Sequence, residues 1–201
     1  MMKKTILTLA ILLTVSVALS QTTISNTERK KALTHLKATQ SELVSLVNGL
    51  EENQVNFKMD ENSWSIAECL EHIAISEKNL IGMIQGGLEG ESDPSKRSEV
   101  AMSDDQILGL ITSREQKVKT RKEFEPTNSF DGFDGTLKAF KDRRKSNMKF
   151  VKSTDADLRN HFLQFPFGLI DTYQGILFMS GHTERHTNQI KEIMASANYP
   201  K

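Results

Sequence analysis

Four helix-period segments of this chain open on a Ser or Asp that is followed, three positions later, by Glu or Gln. The pairs are Ser25 with Glu28, Ser65 with Glu68, Ser103 with Gln106 and Asp171 with Gln174. Such a pair caps a helix reciprocally. The first side chain accepts from N–H groups that the helix cannot satisfy, and the second reaches back to the cap's own N–H. The stripes behind the caps fix the class. Leu33, Leu36, Leu43, Val47 and Leu50 predict a first helix over 27–50. Ile66, Leu70, Ile73, Leu80, Ile81 and Ile84 predict a second over 66–85. Leu137, Phe140, Met148 and Val151 place a third from Asp134 or Gly135. Ile176, Met179, Ile190, Ile193, Met194 and Ala197 place a fourth after Asp171. A thinner stripe of Ile107, Ile111 and Val118 predicts a helix over 104–122 outside the main bundle. No segment alternates convincingly as a half-buried strand would. The expectation is an all-α four-helix bundle with one extra helix between bundle helices two and three.

The connections are read by composition. Residues 85–101 are rich in Gly, Ser and charge, and 126–135 in Asn, Asp and Gly; both are expected to be loops. The stretch 155–170 differs, because Phe162, Phe165 and Phe167 crowd around Pro166 and Gly168. Aromatics on a connection either pack as a plug or line a pocket mouth.

Residues 1–20 carry a basic head, Lys3 and Lys4, and an apolar run over 6–19 too short for a comfortable membrane span. Ala18 and Ser20 are small residues placed for cleavage before Gln21. We expect a signal peptide over 1–20, then a single helical domain over 21–201, exported to the periplasm or secreted. No Cys stands at the new terminus, so a lipid anchor is not expected; the alternative, an uncleaved membrane anchor, is disfavoured because nothing basic or stop-transfer-like follows the apolar run. Cleavage removes two lysines and no acid, leaving 24 basic against 26 acidic residues in a chain of 181. A near-neutral balance argues against nucleic-acid binding through a general basic field. The single cysteine, Cys69, rules out an internal disulfide, so packing or a metal must hold an exported fold.

Several polar residues interrupt the stripes. His182 and His186 are four apart on the fourth helix, so their rings stack on one face, with His186 near the centre of the apolar arc. Buried imidazoles need a partner for each ring nitrogen. One metal ion can serve both, and so can separate hydrogen-bond partners. His72 flanks the stripe of the second helix beside Cys69 and Ser76, where it can look into an interhelical crevice or stand half-exposed. Cys69 is a soft ligand or a small buried residue. Glu68 is one turn before His72 and is either the helix cap or a base near the metal. His35 lies off its stripe and is expected in solvent; His161 lies on the aromatic connection and is less well aimed. Glu77 and Arg144 fall in the middle of facing stripes, where a lone charge is costly. Either they pair across the bundle, or Arg144 reaches a pocket and binds an anionic group. On that second reading Arg144, Glu77 and His161 line a pocket.

Taken together, 64–73 (WSIAECLEHI), Arg144, 157–162 (DLRNHF), 167–176 (FGLIDTYQGI) and 182–190 (HTERHTNQI) resemble the DinB-like, YfiT-like superfamily in order and spacing, over about 27–197. The resemblance implies a four-helix bundle, often dimeric. It also implies a divalent metal, commonly zinc or nickel, on one histidine of helix two and two of helix four. Here those are His72, His182 and His186. Some related proteins are thiol-dependent transferases, and others are described as metal-dependent hydrolases. Where relatives tend to show a His before the Pro of the 160s connection, this chain has Phe165. Three histidines leave an ion with open positions, as in reactive sites. The leading expectation is a metal-dependent hydrolase acting on a small molecule, with Glu68 or a nearby carboxylate as base. The alternatives are a metal-dependent thiol S-transferase and a non-enzymatic metal-binding bundle of a stress response.

Overall fold

All four capping pairs form. The structure, a computed structural model, describes residues 23–116 and 118–201; the export segment expected over 1–20 lies outside them. Ser25 caps α1 (Asn26–Val47), and its partner Glu28 closes the reciprocal pair. A short turn, α2 (Glu52–Val55), follows. Ser65 and Glu68 cap α3 (Ile66–Gly87), and Ser103 and Gln106 cap α4 (Asp104–Thr112). The helix α5 (Gly132–Ser153) begins two residues before the expected Asp134. Asp171 and Gln174 cap α6 (Thr172–Met194). The first helix stops at Val47 rather than 50. Gly49, at φ +78°, takes the left-handed conformation that turns the chain out of it. No helix among the described residues is long and apolar enough to cross a membrane.

The four long helices form the bundle. α1 packs against α5 and α6, and α3 packs against the same two, so α1 and α3 face each other across a diagonal. α4 lies outside, against α6. Its approach is close: a Cβ on Gly181 would stand 2.5 Å from Ile111 Cγ2.

Two expectations are corrected. The extra helix ends at Thr112, not 122. Of its stripe, Ile107 is buried and Ile111 half-buried, but Val118 is 77% exposed, so burial has nothing to add beyond one short amphipathic segment. Second, the aromatic connection holds strands: β1 (Phe162–Phe165) and β2 (Gly168–Asp171) pair antiparallel, from Phe162 with Asp171 to Phe165 with Gly168. Each strand is only four residues long, too short for an alternation to stand out in the sequence. Pro166 and Phe167 make the turn, and Gly168 at φ +132° closes it with a conformation other residues rarely adopt. The hairpin caps one end of the bundle. Leu163 fills the space a side chain would need at both Gly87 of α3 and Gly175 of α6.

The core is apolar at both ends and polar in the middle. One cluster gathers Leu36, Leu80, Ile84, Val151, Tyr173, Ile176 and Leu177 at the hairpin end. The other gathers Leu43, Val47, Leu70, Ile73, Phe140, Ile190 and Ile193. Between them every bundle helix contributes buried polar groups: Thr39, Ser76 and Glu77, Arg144 and Asn147, and Ser180 and Thr183. Arg144 is fully buried and Glu77 is 1% exposed. Arg144 Nε donates to Glu77 Oε2 at 3.0 Å, and Nη2 to Glu77 Oε1 and to Thr183 Oγ1 at 2.6 Å. Its Nη1 donates to the Leu36 carbonyl at 2.6 Å and to Thr39 Oγ1 at 2.8 Å. Asn147 Nδ2 adds a bond to Glu77 Oε2 at 2.8 Å. The guanidinium has no N–H left over and touches all four bundle helices. The pair thus meets across the bundle and is sealed from any pocket. His35, expected in solvent, extends this layer outward instead: Nδ1 lies 2.6 Å from Ser180 Oγ and Nε2 3.2 Å from Glu184.

Near the hairpin, Arg159 ties three helix starts together through Glu28, Asp104 and Asp171, and Arg97 also reaches Asp171. The cleft beside it, about 410 Å³ and lined by Lys31, Asp104, Arg159 and Gln174, has mutually paired charges and contains none of the three histidines.

Breaking the buried pair by one side leaves a charge without its partner, at a cost of about 3–5 kcal/mol. Glu77→Gln and Arg144→Met should each lower stability by about that much, and the double variant should recover part of the loss in urea unfolding. A double variant no more stable than either single change would contradict the pairing.

Candidate metal centre

His72 projects from the second turn of α3, and His182 and His186 from successive turns of the neighbouring α6. The α3–α6 contact brings them together. One ligand-capable nitrogen of each lies within 4.8 Å of the others, and His72 Nε2 is 3.0 Å from His182 Nε2. Ring centroids are 4.4–4.8 Å apart. No carboxylate or thiol among the described residues joins the group.

Outer partners fix which nitrogens face inward. His72 Nδ1 lies 2.6 Å from the carbonyl oxygen of Phe124. A carbonyl has no hydrogen to give, so Nδ1 is the donor and Nε2 carries the lone pair. His186 Nδ1 lies 2.8 Å from Gln189 Oε1. The orientation of that amide is set by a second donor, Arg114 Nη1, which reaches the same oxygen at 3.3 Å. His186 therefore also turns its Nε2 lone pair away from its partner. Arg114 is itself held by Glu192 through two bonds, at 2.9 Å and 2.6 Å. Histidines whose outer nitrogens are bonded in this way are the usual form of metal ligands. With nitrogen bonds of about 2.0–2.1 Å, one divalent ion can bridge the 3.0 Å gap, so the donor set fits such an ion.

The surroundings keep the imidazoles neutral. Burial lowers His72 to about 4, against the opposing pull of the Phe124 carbonyl. His182 and His186 are held well below the ordinary histidine range, first by burial and then by the neighbouring rings and the charge of Arg185; for His186 the Gln189 bond opposes. Neutral imidazole is the ligating form. Aromatic rings line the group. Trp64 lies 4.8 Å from the His72 ring and 6.1 Å from that of His186. Phe178 stacks against His182 at 6.3 Å and meets Phe165 and Phe167 of the hairpin. The aromatic connection thus reaches the site by way of Phe178.

Other residues singled out by sequence lie elsewhere. Glu68 is engaged twice, by the Ser65 N–H at 2.7 Å and by Lys58 at 2.8 Å. Burial alone would raise its pKa, but these bonds outweigh it and hold the carboxylate below its ordinary range. That makes it a cap rather than a base. His161 faces two carbonyls, those of Asp157 and Gly90, outside the group. Glu77 and Arg144 are internal, so none of these three lines the triad. Cys69 is fully buried, and its thiol is pushed up to about 12 by burial, which keeps it protonated. Gln189, Phe124, Arg114 and Arg185 escaped the sequence reading. Only Gln189 carried a signal, three residues after His186 on the same face.

A family model described as the DinB superfamily matches residues 35–190, a span that includes all three histidines and the buried ion pair. Among solved structures, YfiT from Bacillus subtilis is described as a probable metal-dependent hydrolase with an unusual four-helix bundle topology. It aligns over 86% of this chain and 89% of that chain, with a TM-score of 0.54 and 14% identity, a likeness of fold. No curated protein matches the sequence. The fold, the three facing histidines and a family match over most of the described chain lead to one assignment: the chain belongs to the DinB superfamily.

Proposed function

We propose that this protein is a metal-dependent hydrolase whose divalent ion, zinc or nickel, is held by His72, His182 and His186. The observation that carries the reading is the inward turn of the His72 and His186 Nε2 atoms, enforced by Phe124 and Gln189. Held by these three histidines, a divalent ion would supply Lewis acidity towards a carbonyl or phosphoryl oxygen and towards water. The chain's own part is positional. Phe124 and Gln189 fix the ring tautomers, and Arg114 fixes Gln189. Trp64 and Phe178 set apolar rings beside the histidines, and apolar surroundings strengthen electrostatic interactions within. Glu68 is engaged as a helix cap, so we assign no carboxylate base. The basic and apolar run over 1–20 supports placing the mature protein outside the cytoplasm.

Elemental analysis tests the ligand set. The native protein should hold about one equivalent of zinc or nickel, and His72→Ala and His186→Ala should hold none. Gln189→Leu should keep the metal but bind it about 10–100-fold more weakly, the usual effect of losing an outer partner. A native protein that takes up no metal after loading would sink the proposal.

Activity is the second test. Zinc-loaded protein should cleave members of a panel of aryl esters and phosphoesters, and chelation or His186→Ala should abolish turnover. Metal-loaded protein inert towards the whole panel would remove the hydrolase reading while leaving the metal site.

The histidines also predict a pH dependence. Their pKa values are depressed in the fold, so as pH falls the unfolded chain takes up protons first, near 6.5. For His72 the contribution is full above about 6.5 and is lost as pH falls towards about 4, where its folded form protonates. The urea midpoint of metal-stripped protein should fall across that window, and fall less in His72→Leu. Equal slopes in the two proteins would contradict a buried, neutral His72.

A further inference from the structure

The site's surroundings contain a cation with no counter-ion. Arg185 follows His182 by three residues on α6 and directly precedes His186; it is 9% exposed. One of its N–H groups, on Nη2, donates to the Gln116 carbonyl at 2.8 Å. No Asp or Glu among the described residues lies within ion-pair distance, and residues 1–22 and Lys117 include no acid. The nearest acids on its own helix are engaged, Glu184 beside His35 and Glu192 by Arg114. Its Nε and Nη1 find no protein acceptor among the described residues, yet neither is sealed from solvent. A largely buried guanidinium with one edge unfilled is costly to hold and is the usual means of binding a planar or tetrahedral oxyanion. Arg185 is close enough for its charge to depress both His182 and His186. Around the same histidines stand the half-buried rings of Trp64 and Phe178.

We propose that Arg185 is the anion-recognising residue of the triad's substrate cleft, and that the ligand carries a carboxylate or phosphate group on an apolar body. The oxyanion takes the open edge of the guanidinium in two parallel hydrogen bonds. The apolar body lies against Trp64 and Phe178. The inference deepens the hydrolase reading and rests on the triad being the reactive centre. In that setting Arg185 selects and orients the substrate and takes no part in bond breaking.

Trp64 is the sole tryptophan and its ring lies 4.8 Å from that of His72, so its fluorescence reports on the surroundings of the triad. Zinc-loaded and chelator-stripped protein are titrated with benzoate, phenyl phosphate and the neutral benzyl alcohol. The stripped protein is the deciding arm, because there an anion cannot bind the metal instead. We expect at least one anion to bind stripped wild-type protein tenfold or more tightly than benzyl alcohol. Arg185→Gln should lose that preference and Arg185→Lys should keep part of it; whichever anion binds tighter identifies the group. The proposal is overturned if benzyl alcohol binds as well as both anions, if Arg185→Gln keeps the preference, or if none of the three ligands changes the fluorescence. Should Arg185→Gln fail to fold by circular dichroism, the wild-type preference and its reduction in Arg185→Lys decide. Zinc content measured on the same samples separates the two readings. Protein that takes zinc but shows no anion preference retains the metal site and loses this inference. Protein that shows the preference but takes no zinc does the reverse.

Discussion

A guanidinium buried at the centre of a bundle can be tolerated only if all its donors are met, and meeting them fixes the helices around it. Arg144 of α5 bonds Glu77 of α3, Leu36 and Thr39 of α1, and Thr183 of α6. Apolar side chains would let neighbouring helices slide by a fraction of a turn at little cost, because dispersion contacts are non-directional. Directional bonds to a charged group forbid it. The metal centre depends on this. Thr183 lies between His182 and His186 on α6, and Glu77 is five residues beyond His72 on α3. The register that sets His72 Nε2 3.0 Å from His182 Nε2 is thus pinned about one turn away by the Glu77–Arg144–Thr183 bonds.

The layering of the core follows from the same residue. Apolar clusters lie on either side of a polar layer, and His35 carries that layer to the surface through Ser180 and Glu184. Such a layer contributes little net stability compared with well-packed apolar side chains. Its value here is positional, since it holds α3 and α6 in one relative setting.

Much of this was legible in the sequence. Capping pairs are local, so Ser25, Ser65, Ser103 and Asp171 announced their helices through chemistry confined to four residues. Mirror-image charges in two apolar stripes, Glu77 and Arg144, announced a cross-bundle contact because each alone would be too costly. The spacing of His182 and His186 announced a shared face. What failed to show depends on distant chain. The hairpin is held by pairing and by Leu163 against Gly87 and Gly175, and strands of four residues are too short to carry a clear period. The end of α4 is set by what α6 offers to bury. Phe124 acts through its carbonyl oxygen, which any residue would supply, so no side chain could reveal it. His35 was misread because a wheel shows the side of a helix, not whether Ser180 and Glu184 stand opposite.

Gly181 ties these parts together mechanically. With no Cβ there, α4 sits so close to α6 that Ile111 occupies the space a methyl group would take. The chain leaving α4 then runs directly past the metal centre, where Arg114 clamps Gln189 and the Gln116 carbonyl receives Arg185. The distance between two helix backbones therefore becomes the tension on a strap, and the strap sets the aim of His186. A single added carbon at position 181 would act as a wedge under that strap. It would touch neither ligand nor substrate, and would be felt first in the tilt of an imidazole five residues away.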